Sequence, residues 1–179
     1  MIHMIHGIAI AGANGSDKTT LGKHLAKLLG FKHMDVENYY FKDSVIPYAN
    51  PHTKEEVQKL LLADIKRNGR FILSAVNCDF GKDINTLYDC VIYIKAPLEI
   101  RLHRIKQRSI DKFGCRVYKG GDLYEQEQAF YNFVASRSMK KTDAWMQSVK
   151  CPVIYVDGTK PVTDTAKAIK ENIPKFMNI

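Results

Sequence analysis

The chain has 179 residues, 45% of them hydrophobic, enough to bury one core and too few for several independent domains, so residues 1–179 are read as one domain. Lysine and arginine outnumber aspartate and glutamate by 27 to 19, and the resulting charge of +8 favours an anionic partner without choosing among phosphate, nucleotide and nucleic acid. The four cysteines, Cys78, Cys90, Cys115 and Cys151, form no C-x-x-C pair, which argues against zinc and for a reducing compartment, and no apolar run approaches the roughly 20 residues of a membrane span, so a cytoplasmic protein is expected.

Short strand-like runs alternate with helical patterns, the habit of an α/β fold on a parallel sheet. "HGIAIAG" reads as the first strand and is followed by "GANGSDKTT", residues 12–20. A helix then runs from about Lys18 to Leu29, with Leu21, Leu25 and Leu28 on one face and Gly30 supplying a left-handed terminus. "FKHMDV" is the second strand. Residues 38–69 form an insertion that begins irregularly, with Tyr39, Tyr40, Phe41 and Tyr48 available either to stack on a ring or to pack. It ends in a helix opened by a Thr53–Glu56 capping box, with Val57, Leu60, Leu61 and Ile65 on one face.

"RFILSAV" and "CVIYIKA" are continuous apolar runs suited to strands covered on both faces. Pro97 opens the helix "PLEIRLHRIKQRS". "IDKFGCRVYKGGD" carries three glycines and reads as a mobile loop, a lid at about residues 109–121. Asp122 and Glu125 form a second capping box, opening a long helix with Phe130, Phe133 and Val134 at helical spacing. "PVIYV" is the fifth strand, and Val162, Ile169 and Ile173 mark a closing amphipathic helix.

The stretch between the first strand and the first helix is one residue away from G-x-x-x-x-G-K-[ST]. Gly12, Lys18 and Thr19 fit, and Asp17 replaces the second glycine. In such a loop the backbone from Gly12 through Ala13, Asn14, Gly15, Ser16 and Asp17 to Thr20 cradles phosphates. Lys18 reaches the outer ones and Thr19 binds Mg²⁺. An aspartate enters the left-handed region more readily than most residues. Its charge, about 5 Å from a phosphate charge at an effective dielectric near 20, would oppose binding by roughly 3 kcal/mol before screening, and because Lys18, Arg104 and Arg108 would offset much of it, Asp17→Gly is expected to tighten binding modestly.

Taken together, "GANGSDKTT", "APLEIRLHRIKQRS" and "VDGTKPV" resemble the P-loop small-molecule kinases, the group containing adenylate, shikimate and gluconate kinases. The resemblance implies a three-layer α/β/α P-loop NTPase fold with a five-stranded parallel sheet in the order 2-3-1-4-5. It also implies ATP, Mg²⁺ and a small-molecule acceptor. Arg104 and Arg108 correspond to the two arginines of the helix leading into the lid, and Gly158, Thr159, Lys160 and Pro161 to the segment bordering adenine. Spacing supports the arginines independently, because residues four apart share a helical face and can meet one anion or form a solvated basic face. Arg116, inside the lid, either closes over the transferring phosphoryl group or is an ordinary loop arginine.

Asp35 and Glu37, two apart at the end of the second strand, are expected to point the same way at the ligand-binding edge of the sheet. By resemblance to the Asp-x-Asp of shikimate kinases, Asp35 is the metal helper or general base and Glu37 an acceptor contact, the alternative being caps for the next loop. Where adenylate kinases carry an aspartate this chain has Ser74, and Asp79 either replaces it or caps a helix. The reading is an ATP-dependent phosphotransferase. The alternatives are a nucleotide-binding protein impaired by Asp17, or a nucleic-acid-binding module, which no aromatic-basic motif supports.

Overall fold

The computed structural model of the protein describes residues 5–42 and 50–176, which places Tyr48 outside the described residues. Five parallel strands, β1 (Gly7–Gly12), β2 (Lys32–Asp35), β3 (Phe71–Ala75), β4 (Cys90–Lys95) and β5 (Val153–Asp157), form one sheet in the order β2-β3-β1-β4-β5. The helices are α1 (Lys18–Leu29), α2 (Lys54–Asn68), α3 (Lys82–Asn85), α4 (Leu98–Phe113), α5 (Tyr124–Ser136), α6 (Lys140–Ser148) and α7 (Val162–Phe176).

The two-residue period of the strands divides the core into two layers. Ile8, Ile10, Ile72, Ile92 and Ile94 meet Leu21 and Leu25 of α1 and Ala166, Ile169 and Ile173 of α7. Ala9, Ala11, Leu73, Val91 and Tyr93 face the other way, toward Val57, Leu61 and Ile65 of α2, Ile84 of α3 and Trp145 and Met146 of α6. Small residues in β1 let helices approach the central strand on that side. The chain is thus a three-layer α/β/α sandwich, and α2 is a structural layer of it. A third, small cluster of Ile105, Tyr131 and Val134 joins α4 to α5 beyond the sheet.

Register brings Gly12 level with Ile94, Ala11 with Ala75, and Asp35 with Ser74. The residues that follow β1, β2 and β3 therefore converge on one carboxyl edge. Gly22 holds that edge tight, since a Cβ there would stand 2.5 Å from His33 Nε2 and 2.7 Å from Ser74 Oγ.

Several local expectations are corrected. The strand stops at Asp35, and Val36–Tyr39 is a 3-10 turn, so Asp35 lies on extended chain and Glu37 does not. Much of the expected lid is helical: α4 continues to Phe113, and Gly114–Val117 is a 3-10 turn. Asp122 and Glu125 form no capping box. Leu123, whose side chain has no group to bond, is the N-cap, and the Asp122 carboxylate is engaged by Arg116 instead. The expected long helix is two, α5 and α6, broken at extended Arg137. Leu28, Leu60, Phe130 and Phe133 are exposed, whereas Tyr131, at the same helical spacing as Val134, is buried.

Candidate functional site

The loop after β1 and the first turn of α1 form one wall of a cavity of about 420 Å³ at the carboxyl edge of the sheet. Asn14, Gly15, Asp17, Lys18, Thr19 and Thr20 line that wall. Asp35, Glu37, Tyr40, Ser74 and Asn77 line the sheet side, and Arg108, Phe113, Phe130 and Arg137 close it from α4, α5 and the residue after α5.

Loop geometry follows from two backbone positions. Gly15 has φ +80°, and a Cβ there would stand 2.5 Å from the Arg101 carbonyl oxygen, so glycine lets the loop rest directly on α4. Arg101 completes the contact by donating from Nη1 to the Asn14 carbonyl at 3.1 Å. Asp17 has φ 67° and ψ 28°, the left-handed conformation, and among the described residues it is the one non-glycine with positive φ.

The Asp17 carboxylate meets Arg104 Nε at 3.1 Å and Arg108 Nη2 at 3.4 Å. The offsetting charge expected from Arg104 and Arg108 is thus present as two direct ion pairs on this carboxylate. Arg104 also donates from Nη2 to the Gly158 carbonyl at 2.7 Å, tying the loop to the segment after β5. A smaller recess there is lined by Ser16, Asp17, Val156, Gly158 and Lys160. Thr159 donates from its backbone and hydroxyl to Asp157, and the Pro161 carbonyl accepts from Thr165, so these two shape the turn.

Lys18 folds back and donates from Nζ to the Ala13 carbonyl at 3.0 Å. Burial pushes its ammonium down to about 8, against the opposing pull of Cys78, Glu37 and Asp35. Thr19 Oγ1 donates to Asp35 Oδ2 at 2.6 Å, and the second Asp35 oxygen accepts from the Glu37 amide at 3.2 Å. The two residues expected to serve a metal, sixteen positions apart in sequence, are in direct contact.

Other expected residues lie elsewhere. Arg116 makes a bidentate pair with Asp122, at 2.9 and 2.6 Å, outside the cavity lining. Asp79 accepts from the Gly81 amide and from Asn85 Nδ2 in its own turn and does not line the cavity. Tyr39 donates to Asp64, while Tyr40 lines the cavity. Ser74 bonds His33 at 2.9 Å. Conversely, Arg137 was not legible as a site residue: it reaches Asn14 Oδ1 at 2.9 Å from 123 positions away and packs over Phe133.

These residues fit a nucleoside triphosphate with a divalent cation. Lys18, Arg108 and Arg137 surround a loop at the start of α1, and Thr19 with Asp35 offers hard oxygen donors. Ser16 Oγ and Arg104 Nη1 are buried without a hydrogen-bond partner among the described residues, two donors beside the loop suited to an acceptor-rich ligand.

Residues 8–129 match the family described as "AAA domain". "Uncharacterized protein YqaC" of Bacillus subtilis (strain 168) is 32% identical over 162 residues, covering 86% of this chain and 89% of that protein. The chain belongs to this P-loop family and is distantly homologous to small-molecule kinases. "Shikimate kinase 2" of Pectobacterium carotovorum subsp. carotovorum (strain PC1) is 27% identical over 121 residues, covering 60% of this P-loop chain and 68% of that enzyme. "Cytidylate kinase" of Streptococcus equi subsp. zooepidemicus (strain MGCS10565) is 29% identical over 127 residues, covering 65% of this chain and 56% of that protein. Among solved structures, the shikimate kinase from Acinetobacter baumannii in complex with shikimate shares the fold at a TM-score of 0.57 and 18% identity, over 96% of this chain and 94% of that one. A gluconokinase from Sinorhizobium meliloti 1021 does so at a TM-score of 0.54 and 9% identity, over 97% and 94%. Among the described residues, no helix is long and apolar enough to cross a membrane.

Proposed function

We propose that this P-loop protein is an ATP-dependent kinase that moves the γ-phosphoryl group to a small hydroxyl- or phosphate-bearing acceptor. The observation that carries the reading is the Thr19–Asp35 contact at 2.6 Å, on a cavity wall that also presents Lys18 and continues past the loop to Glu37, Tyr40 and Asn77. A phosphate loop alone needs no such extension, whereas transfer to a second molecule does.

In this reading Gly12 through Thr20 hold the phosphates, and Lys18, Arg108 and Arg137 offset the charge that develops during transfer. Mg²⁺, when bound, would be held by Thr19 and Asp35 and would supply further charge neutralisation. Asp35 also stands where it can accept a proton from an acceptor hydroxyl, and Glu37 and Asn77 can orient that acceptor. Arg116 and Asp79, bonded within their own turns, are left out of the proposed machinery.

The test is ADP release in the presence of Mg²⁺ and ATP across a panel of nucleosides, nucleoside monophosphates and hydroxy acids. The reading expects stimulation by one acceptor class. Asp17 favours a second reading, nucleotide binding without turnover, and that reading expects tight MgATP binding with no acceptor-dependent release.

A further inference from the structure

Asp17 stands where a glycine would satisfy the backbone without strain, since φ 67° is a conformation that glycine adopts freely. The chain instead keeps a side chain here, and that side chain is fully engaged. Each carboxylate oxygen meets a different arginine, Oδ2 with Arg104 Nε at 3.1 Å and Oδ1 with Arg108 Nη2 at 3.4 Å.

The consequence for Arg104 is specific. With Nε on Asp17 and Nη2 on the Gly158 carbonyl, its guanidinium plane is fixed between the phosphate loop and the segment after β5. The third nitrogen, Nη1, is buried and left without a partner. A planar donor fork with two positions anchored presents its remaining donor in one direction. Arg108, more exposed than Arg104, is drawn by the same carboxylate to the cavity wall.

Resting on the nucleotide reading above, we propose that Asp17 is a positioning residue: it orders Arg104 and Arg108 beside the phosphate loop before nucleotide arrives. The carboxylate contributes no contact to the ligand. It acts by removing the freedom of two long side chains in advance, so that less ordering remains to be done on binding. This reverses the effect expected from the sequence, where the same charge was a repulsive burden on the phosphates.

Calorimetric titration of MgATP decides the sign. Asp17→Asn keeps a residue tolerant of the left-handed conformation and removes the charge, while Asp17→Gly relieves any backbone strain and so guards against misfolding. Both variants are expected to bind on the order of tenfold more weakly than wild type, and in an Arg104→Ala background the Asp17→Asn loss should shrink to less than about threefold. A structural role alone would not produce that coupling. Equal or tighter binding by both Asp17 variants overturns the proposal, as does an Asp17→Asn loss undiminished by Arg104→Ala. Failure of the wild type itself to bind MgATP would instead remove the nucleotide reading, and the proposal with it.

Discussion

Lys18 carries its charge at a disadvantage that can be measured. Burial lowers its ammonium from an ordinary 10.5 to about 8, which corresponds to roughly 3 kcal/mol of destabilisation at neutral pH. The folded value lies below the unfolded one, so between about pH 8 and 10.5 the unfolded chain binds the extra proton. Stability contributed through this group therefore rises with pH across that window, and the penalty is complete below pH 8. Lys18→Met removes the penalty. It also leaves the Ala13 carbonyl without the Nζ donor, an offset of about 1 kcal/mol that does not vary with pH. Urea denaturation of both proteins from pH 7 to 10.5 should show a difference that shifts by roughly 3 kcal/mol in favour of wild type as pH rises. Phosphates that restore the Lys18 charge should also draw in a proton. At pH 9 a group titrating near 8 is about nine-tenths neutral, so MgATP binding should take up close to one proton, read by calorimetry in buffers of different ionisation enthalpy. A stability difference that stays constant over the whole range would refute the reasoning.

Three further outcomes are expected. Asp35→Asn weakens the charge-assisted bond from Thr19 and removes the proton acceptor, so ADP release with a working acceptor should fall by about 10²–10⁴-fold while MgATP affinity changes far less; a full-rate variant excludes the role. Arg137→Ala should lower turnover on the order of a hundredfold without altering the melting temperature much, since its contact with Asn14 is exposed; unchanged kinetics would return it to the surface. Gly15→Ala places a Cβ 2.5 Å from the Arg101 carbonyl oxygen at a positive φ, and the melting temperature should drop by roughly 5–10 °C, whereas an unaltered melt would show that the loop does not rest on α4.

The strands, their order and the phosphate loop were legible because each rests on local chemistry or on a resemblance carried by contiguous residues. The Thr53–Glu56 capping box forms as read, and Gly30 caps α1 at φ 70°. The second capping box failed although its spacing was as good, since Asp122 had a nearer partner in Arg116, which spacing cannot register. Asp35 and Glu37 both line the cavity, and the alternative read for them also holds for Asp35: the strand ends there, and its side chain caps the turn that carries Glu37. Periodicity misassigned Phe130 and Phe133, whose rings stack on each other at the surface while Tyr131 takes the core position. The contacts that define the site join residues far apart in sequence, Arg137 with Asn14 and Asp17 with Arg104 and Arg108. No local pattern encodes them. For Asp17 the sequence named both arginines as offsetting charges, and the fold adds the direct pairs on which its proposed positioning role rests.

The central claim is that the loop from Gly12 to Thr20 holds nucleotide phosphates with Lys18 as their main cation. Titration of MgATP into wild type and Lys18→Ala at neutral pH tests it most directly. The account predicts saturable one-to-one binding by the wild type, weakened by about a hundredfold in the variant. No binding by folded wild-type protein at millimolar nucleotide, or equal affinity in the two, would contradict it.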